Sequence, residues 1–127
     1  MKRQIQPVQL FGVVSAELAG RRFLADGKAA SAVAYGNLAL VIRSVDAAQW
    51  NPQSLSTNRA DRTWMSHQAS VHQRVLERAM HAGAVVPAQL CTVFEDRDQL
   101  DELARSNEQY WRKSLLRLAG KQEWCLH

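Results

Sequence analysis

The sequence predicts an α+β fold. Two long stretches, Thr63 to Ala82 and Arg97 to Ala119, carry helical periodicity, and several short apolar runs read as extended. Two of those runs are joined by Gly36-Asn37, a dipeptide suited to a two-residue hairpin turn. A chain of 127 residues with 46% hydrophobic content is too apolar to be disordered and short enough for one domain, 1–127.

Gln9 to Ala16 reads as the first strand. Leu10, Gly12 and Val14 fall on one face, and Phe11, Val13 and Ser15 on the other. Both faces hold apolar residues, so the strand should be central and covered. Gly12 marks a bulge or a close approach by another element. Glu17 to Ser31 is polar and reads mostly as loop, with a turn at Asp26-Gly27 and a short helix possible near Leu18. Ala32 to Tyr35 and Leu38 to Val45 form the hairpin. Asp46 to Thr63 has no clear period; a short helical turn or partial disorder is expected there.

The first long helix has Val71, Val75, Ala79 and Ala82 on its apolar stripe. His67, Ser70, Arg74, Glu77, Arg78 and His81 lie on the opposite face. Gly83 should close it in a left-handed conformation. Val85 to Phe94 is extended, and Pro87 interrupts it because proline has no N–H for a sheet ladder. Asp96 is the expected N-cap of the second helix. That helix carries Leu100, Leu103, Ala104, Tyr110, Trp111, Leu115 and Leu118 as its stripe and stops at Gly120. Lys121 to His127 reads as a last strand. The element order gives a mainly antiparallel sheet with two long helices packed on one face, a modified ferredoxin-like sandwich.

The net charge of +4 raises nucleic-acid binding, but the cations are scattered and an acidic block, Asp96 to Glu102, sits among them. No apolar run approaches the roughly 20 residues that span a bilayer, and the N-terminus lacks the apolar core of a signal peptide. Neither nucleic acid nor membrane is the expected partner, and the cytoplasm is the expected compartment. Cys91 and Cys125 read as small buried hydrophobes, too few for a zinc site and without a secretory context for a disulfide.

No catalytic, cofactor or metal site emerges. His72 has Gln68, Ala69, Val75 and Leu76 as helical neighbours, so a hydrogen-bonded core histidine is the expected role. A haem-binding protein or enzyme using His72 as ligand or base is the alternative. The acids around Asp98 suit a helix start. Trp64, Trp111 and Trp124 fall on predicted elements and read as core. Trp50, in the irregular segment, is the expected exposed aromatic contact. With Arg74 and Arg78 it makes the candidate partner-binding set. A self-associating module using Gln122 to Leu126 as a free edge is a third reading.

Ordered motifs carry a resemblance. They are Leu10-Phe11-Gly12-Val13-Val14, Gly36-Asn37-Leu38-Ala39-Leu40-Val41, His72 to Met80, Ala82 to Pro87, Cys91 to Asp96, and Leu118-Ala119-Gly120-Lys121-Gln122-Glu123-Trp124. Together they resemble the gas vesicle protein GvpF/GvpL family over nearly the whole chain. Gln73 stands where that family has an acid, Gln89 where it has arginine, and Cys91 where it has glycine. The resemblance implies the N-terminal domain of an accessory protein of gas vesicle formation, located in the cytoplasm and at the vesicle. It implies no enzyme and no cofactor. The implied partners are the hydrophobic shell subunit GvpA and other accessory proteins. A shell subunit with a large apolar face needs cover before assembly.

Overall fold

Val8–Ser15 forms strand β1, and nearly all of it is buried. The computed structural model describes the backbone of residues 6–125 and the side chains of residues 6–119. Strands β2 (Arg22–Ala25), β3 (Lys28–Tyr35) and β4 (Leu38–Ser44) follow as an antiparallel meander. Two short strands, β5 (Val85–Pro87) and β6 (Val93–Phe94), both pair with β1. The sheet order is β2-β3-β4-β1-β5, with β6 also on β1. The Val85–Phe94 stretch therefore runs antiparallel along one edge of β1, interrupted after Pro87, as the proline predicts. Ala88 N–H donates to the Phe11 carbonyl and Leu10 N–H to the Thr92 carbonyl, each at 2.9 Å, which carries the pairing through the interruption.

Two hairpin turns set the meander. Asp26 and Gly27 both have positive φ, 55° and 73°, and join Ala25 to Lys28. At the next turn only Gly36 has positive φ, 54°. The first hairpin corrects the sequence reading, which left residues 22–25 and 28–31 in a loop. Arg22-Phe23-Leu24-Ala25 alternates exposed and buried over only four residues, too short for a period to stand out. Its turn signal at Asp26-Gly27 was the legible part.

Helices α1 (Ala47–Trp50) and α2 (Pro52–Arg59) occupy the segment without a clear period. Each is capped by a side chain: Asp46 Oδ1 accepts from Ala48 N–H and Asn51 Oδ1 from Ser54 N–H, both at 2.9 Å. A polar composition hides such helices because caps and local hydrogen bonds, not an apolar stripe, define them. Helix α3 spans Arg62–Ala82 with Asp61 as N-cap. Gly83 follows in an extended conformation, φ 167°, and not in the left-handed one expected. Helix α4 spans Arg97–Cys125. Asp96 caps it as predicted, accepting from Gln99 N–H at 3.0 Å, and Gln99 Oε1 reaches back to Glu95 N–H.

The predicted final strand is not formed. The helix passes through Gly120 and continues to Cys125, so the free edge expected at Gln122 to Leu126 is absent over residues 122–125. One helical glycine costs about 1 kcal/mol, which a long preformed helix and the good helix formers Lys121, Gln122 and Glu123 offset. Leu126, His127 and the side chains of Trp124 and Cys125 lie outside the described residues.

The two long helices lie on opposite faces of the sheet, which corrects the expectation of one shared face. Val71, Val75 and Ala79 of α3 pack with Phe11, Val14, Ala39 and Val41. Leu100, Ala104, Trp111 and Leu115 of α4 pack with Val8, Leu10, Val13, Leu38, Leu40 and Ile42. The cause lies in β1 and β4, which are apolar on both sides; each face needs its own cover. The ferredoxin-like sandwich loses its basis, and a mainly antiparallel α+β sheet between two helices replaces it. A bulge in β1 sets which residues go where. The β1–β4 register shifts between Leu10 and Gly12, so Phe11 and Gly12 both face α3 while Leu10 and Val13 face α4.

Candidate partner-binding surface

Four segments close around an open, largely apolar groove of about 550 Å³. The 3-10 turn Ala16–Leu18 supplies Leu18, the start of β4 supplies Leu38, the end of α3 and the residue after it supply Ala82 and Gly83, and α4 supplies Leu115 and Leu116. Helical geometry explains the last pair. Leu115 completes the stripe of Leu100, Ala104 and Trp111 and is buried. Leu116 lies about 100° further round, where the sheet cannot reach it, and is 73% exposed. Gly83 leaves the floor open, with Leu18 Cδ1 at ordinary contact distance from where a Cβ would stand. Glu17 and Arg112 give the groove a charge of each sign. An exposed leucine beside an apolar concavity is the surface pattern of a contact site for apolar partners.

Sequence reasoning placed the site elsewhere. Trp50 is not an exposed contact. It is 5% exposed and packs with Val45, Leu55 and Cys91 in a small third core. Its ring centroid lies 5.3 Å from that of Trp64, with the planes tilted 55°. The helix pair α1–α2 turns the indole inward because polar α2 has only Leu55 to bury, and the tryptophan supplies the rest of that core. Arg74 and Arg78 are exposed on the outer face of α3, as the period predicts. Tyr110 and Leu103, assigned to the stripe of α4, flank it instead and are 67% and 36% exposed. The groove residues come from four separate segments, so no single stretch announces them; adjacent Leu115 and Leu116, which one stripe cannot both bury, were the available signal.

His72 is half-buried, with Nε2 3.1 Å from the Ala88 carbonyl and the ring centroid 5.7 Å from that of Phe11. A carbonyl only accepts, so Nε2 carries the proton and Nδ1 is the bare nitrogen. Burial pushes the pKa of His72 below its ordinary value, with the Ala88 hydrogen bond opposing. This is how a core histidine is held, with Nδ1 buried and without a hydrogen-bond partner among the described residues. His67, on the outer face, pairs with Asp26 at 3.2 Å.

Cys91 is buried and has φ 62°, a conformation that side chains disfavour. Burial raises its thiol pKa, partly offset by Arg59. This explains physically why a glycine is the easier residue at that position.

Among the described residues no helix is long and apolar enough to cross a membrane. No curated protein and no solved structure matches the chain significantly. The family model described as gas vesicle synthesis protein GvpL/GvpF matches residues 8–127. That span takes in every strand and helix described above, and the chain belongs to the gas vesicle synthesis protein GvpL/GvpF family.

Proposed function

We propose that this protein is a non-enzymatic accessory factor of gas vesicle formation that binds the hydrophobic shell subunit GvpA, or another accessory protein, in the cytoplasm during assembly. Family membership carries the reading. The groove beside Leu116 supports it, because an apolar concavity at the surface is what a helper needs to shield an aggregation-prone face. In this reading residues 1–127 correspond to the family's N-terminal domain. Arg74 and Arg78, exposed on α3, supply a cationic surface that steers encounter and contributes little to affinity on its own.

Co-purification from cells producing both proteins tests the proposal. The wild-type chain should retain the shell subunit, and Leu116→Asp should release it while the fold persists. Arg74→Glu with Arg78→Glu should slow association in low salt. Absence of any capture of shell or accessory proteins by the wild-type chain would sink the reading.

A further inference from the structure

Charge is sorted along α4. Asp98, Asp101 and Glu102 lie in its first turns, and from Leu103 to Ala119 the only acid is Glu108. Glu108 is half-buried and turned to the β3–β4 turn, with Oε1 3.0 Å from where a Cβ on Gly36 would stand. The same stretch carries Arg105, Arg112, Lys113 and Arg117, all exposed. Among the described residues none of these cations has a carboxylate within ion-pair distance. A helix stopping at Gly120 would explain the last three, because cations in the closing turns complement the macrodipole. α4 runs on to Cys125, which leaves them about two to four turns short of its end, beyond the reach of that effect.

The shape of the same face is a second, independent observation. Gln109, Arg112, Lys113 and Leu116 enclose a shallow, largely apolar cleft of about 300 Å³. Their spacing is i, i+3, i+4 and i+7, the set of positions that forms the hole for one knob of a facing helix. The walls are the aliphatic stems of the long polar side chains and Leu116 itself. Arg112 and Leu116 also line the groove described above, so exposed Leu116 stands as a ridge between two concavities. Glu17, the acid of that groove, belongs to the 3-10 turn and not to α4. Exposed Tyr110 stands three residues before Lys113, beside the cleft.

We propose that this face of α4 seats an acidic amphipathic helix of a protein partner. Apolar residues of that helix pack around Leu116, one in the cleft and the next in the groove, and its carboxylates meet Arg105, Arg112, Lys113 and Arg117. An apolar seam of this kind gives affinity, and opposite charges along its flanks select the partner. This partner chemistry deepens the contact surface described above and rests on that reading.

The test is fluorescence anisotropy of two labelled synthetic helices with the full chain: a leucine seam flanked by glutamates, and the same peptide with lysines in their place. The glutamate helix should bind saturably, and more weakly as salt rises. Arg112→Glu with Lys113→Glu should weaken it about tenfold or more and gain affinity for the lysine helix. Leu116→Asp should also weaken it, while Arg21→Glu with Arg62→Glu, exposed cations off this face, should leave it unchanged. All substituted side chains are exposed, and circular dichroism checks that each variant keeps the fold. No binding of the glutamate helix up to about 1 mM overturns the proposal. Equal affinity for both helices, or no effect of the Arg112–Lys113 reversal, does the same. Tighter binding of phosphatidylglycerol vesicles or of a single-stranded oligonucleotide than of the glutamate helix also overturns it, and gives the face to a membrane surface or a nucleic acid. Co-purification separates this from the assembly reading. Capture of the shell subunit undiminished by the Arg112–Lys113 reversal removes the acidic helix and leaves the assembly role standing; glutamate-helix binding without capture of any gas vesicle protein does the reverse.

Discussion

A Cβ on Gly12 would stand 2.9 Å from the Val86 carbonyl oxygen and 3.0 Å from Val85 Cγ1. The bulge turns position 12 toward α3, and β5 closes over it. The first contact is backbone within a paired strand and cannot swing aside. Gly12→Ala should therefore destabilise the fold by about 2 kcal/mol or more. Gly83→Ala is the control: its backbone is extended and its Cβ would meet only Leu18 Cδ1 at 3.7 Å. It should change stability by less than about 1 kcal/mol. Urea unfolding of both variants checks the pair, and equal losses would contradict the geometry.

Cys91 separates conformational strain from burial. Cys91→Gly relieves a left-handed backbone worth about 1 kcal/mol and gives up a buried thiol of similar worth, so stability should stay within about 1 kcal/mol of wild type. Cys91→Val keeps an apolar side chain but adds a β-branch at φ 62°. It should cost about 2 kcal/mol or more. The order of the two unfolding midpoints is the readout; valine above glycine would remove the strain argument.

His72 makes stability pH-dependent with a defined sign. Its pKa in the folded chain is lowered by burial, while in the unfolded chain it stays near the ordinary 6.5. As pH falls through that unfolded value, the unfolded state takes up the proton first, so stability drops. The drop levels off below the folded value. The contribution is fully present at pH above both values. Urea midpoints measured from pH 8 downward, wild type against His72→Gln, isolate it: the wild-type curve should fall more steeply on the acid side. Parallel curves would show that His72 titrates normally.

Trp50 is predicted to matter for folding. Trp50→Ala should cost about 3 kcal/mol or more, since it empties the core shared with Leu55 and Cys91. Arg74→Ala and Arg78→Ala should each stay within about 0.5 kcal/mol. A stable Trp50→Ala that fails only in partner capture would restore the tryptophan as a contact residue.

What was legible in the sequence follows from how far each signal reaches along the chain. The stripe of Val71, Val75 and Ala79 repeats over more than two turns of helix, and the structure buries all three. The Pro87 interruption and the Asp96 cap are local chemistry and were readable for that reason. Side assignment in β1 failed across the bulge, which shifts parity without leaving a compositional mark beyond Gly12. The tail failed because glycine stops a helix only where nothing beyond it favours helix. The groove was invisible because it is a property of four segments meeting. Arg43, near the end of β4, carries no local signal of its half-burial. Its burial depends on Gln9 and Gln68, residues that polarity alone assigns to the surface.

The pairing of β1 with three partners has a consequence for synthesis. Its neighbour β4 is translated some thirty residues later, but the strands that close its other edge begin only at Val85. Until the ribosome has passed Phe94, a nascent chain carrying Phe11, Val13 and Val14 keeps one backbone edge of β1 open, together with the apolar face that α4 will cover. The domain thus closes late, and a ribosome stalled inside α3 would present the most aggregation-prone intermediate this chain can form.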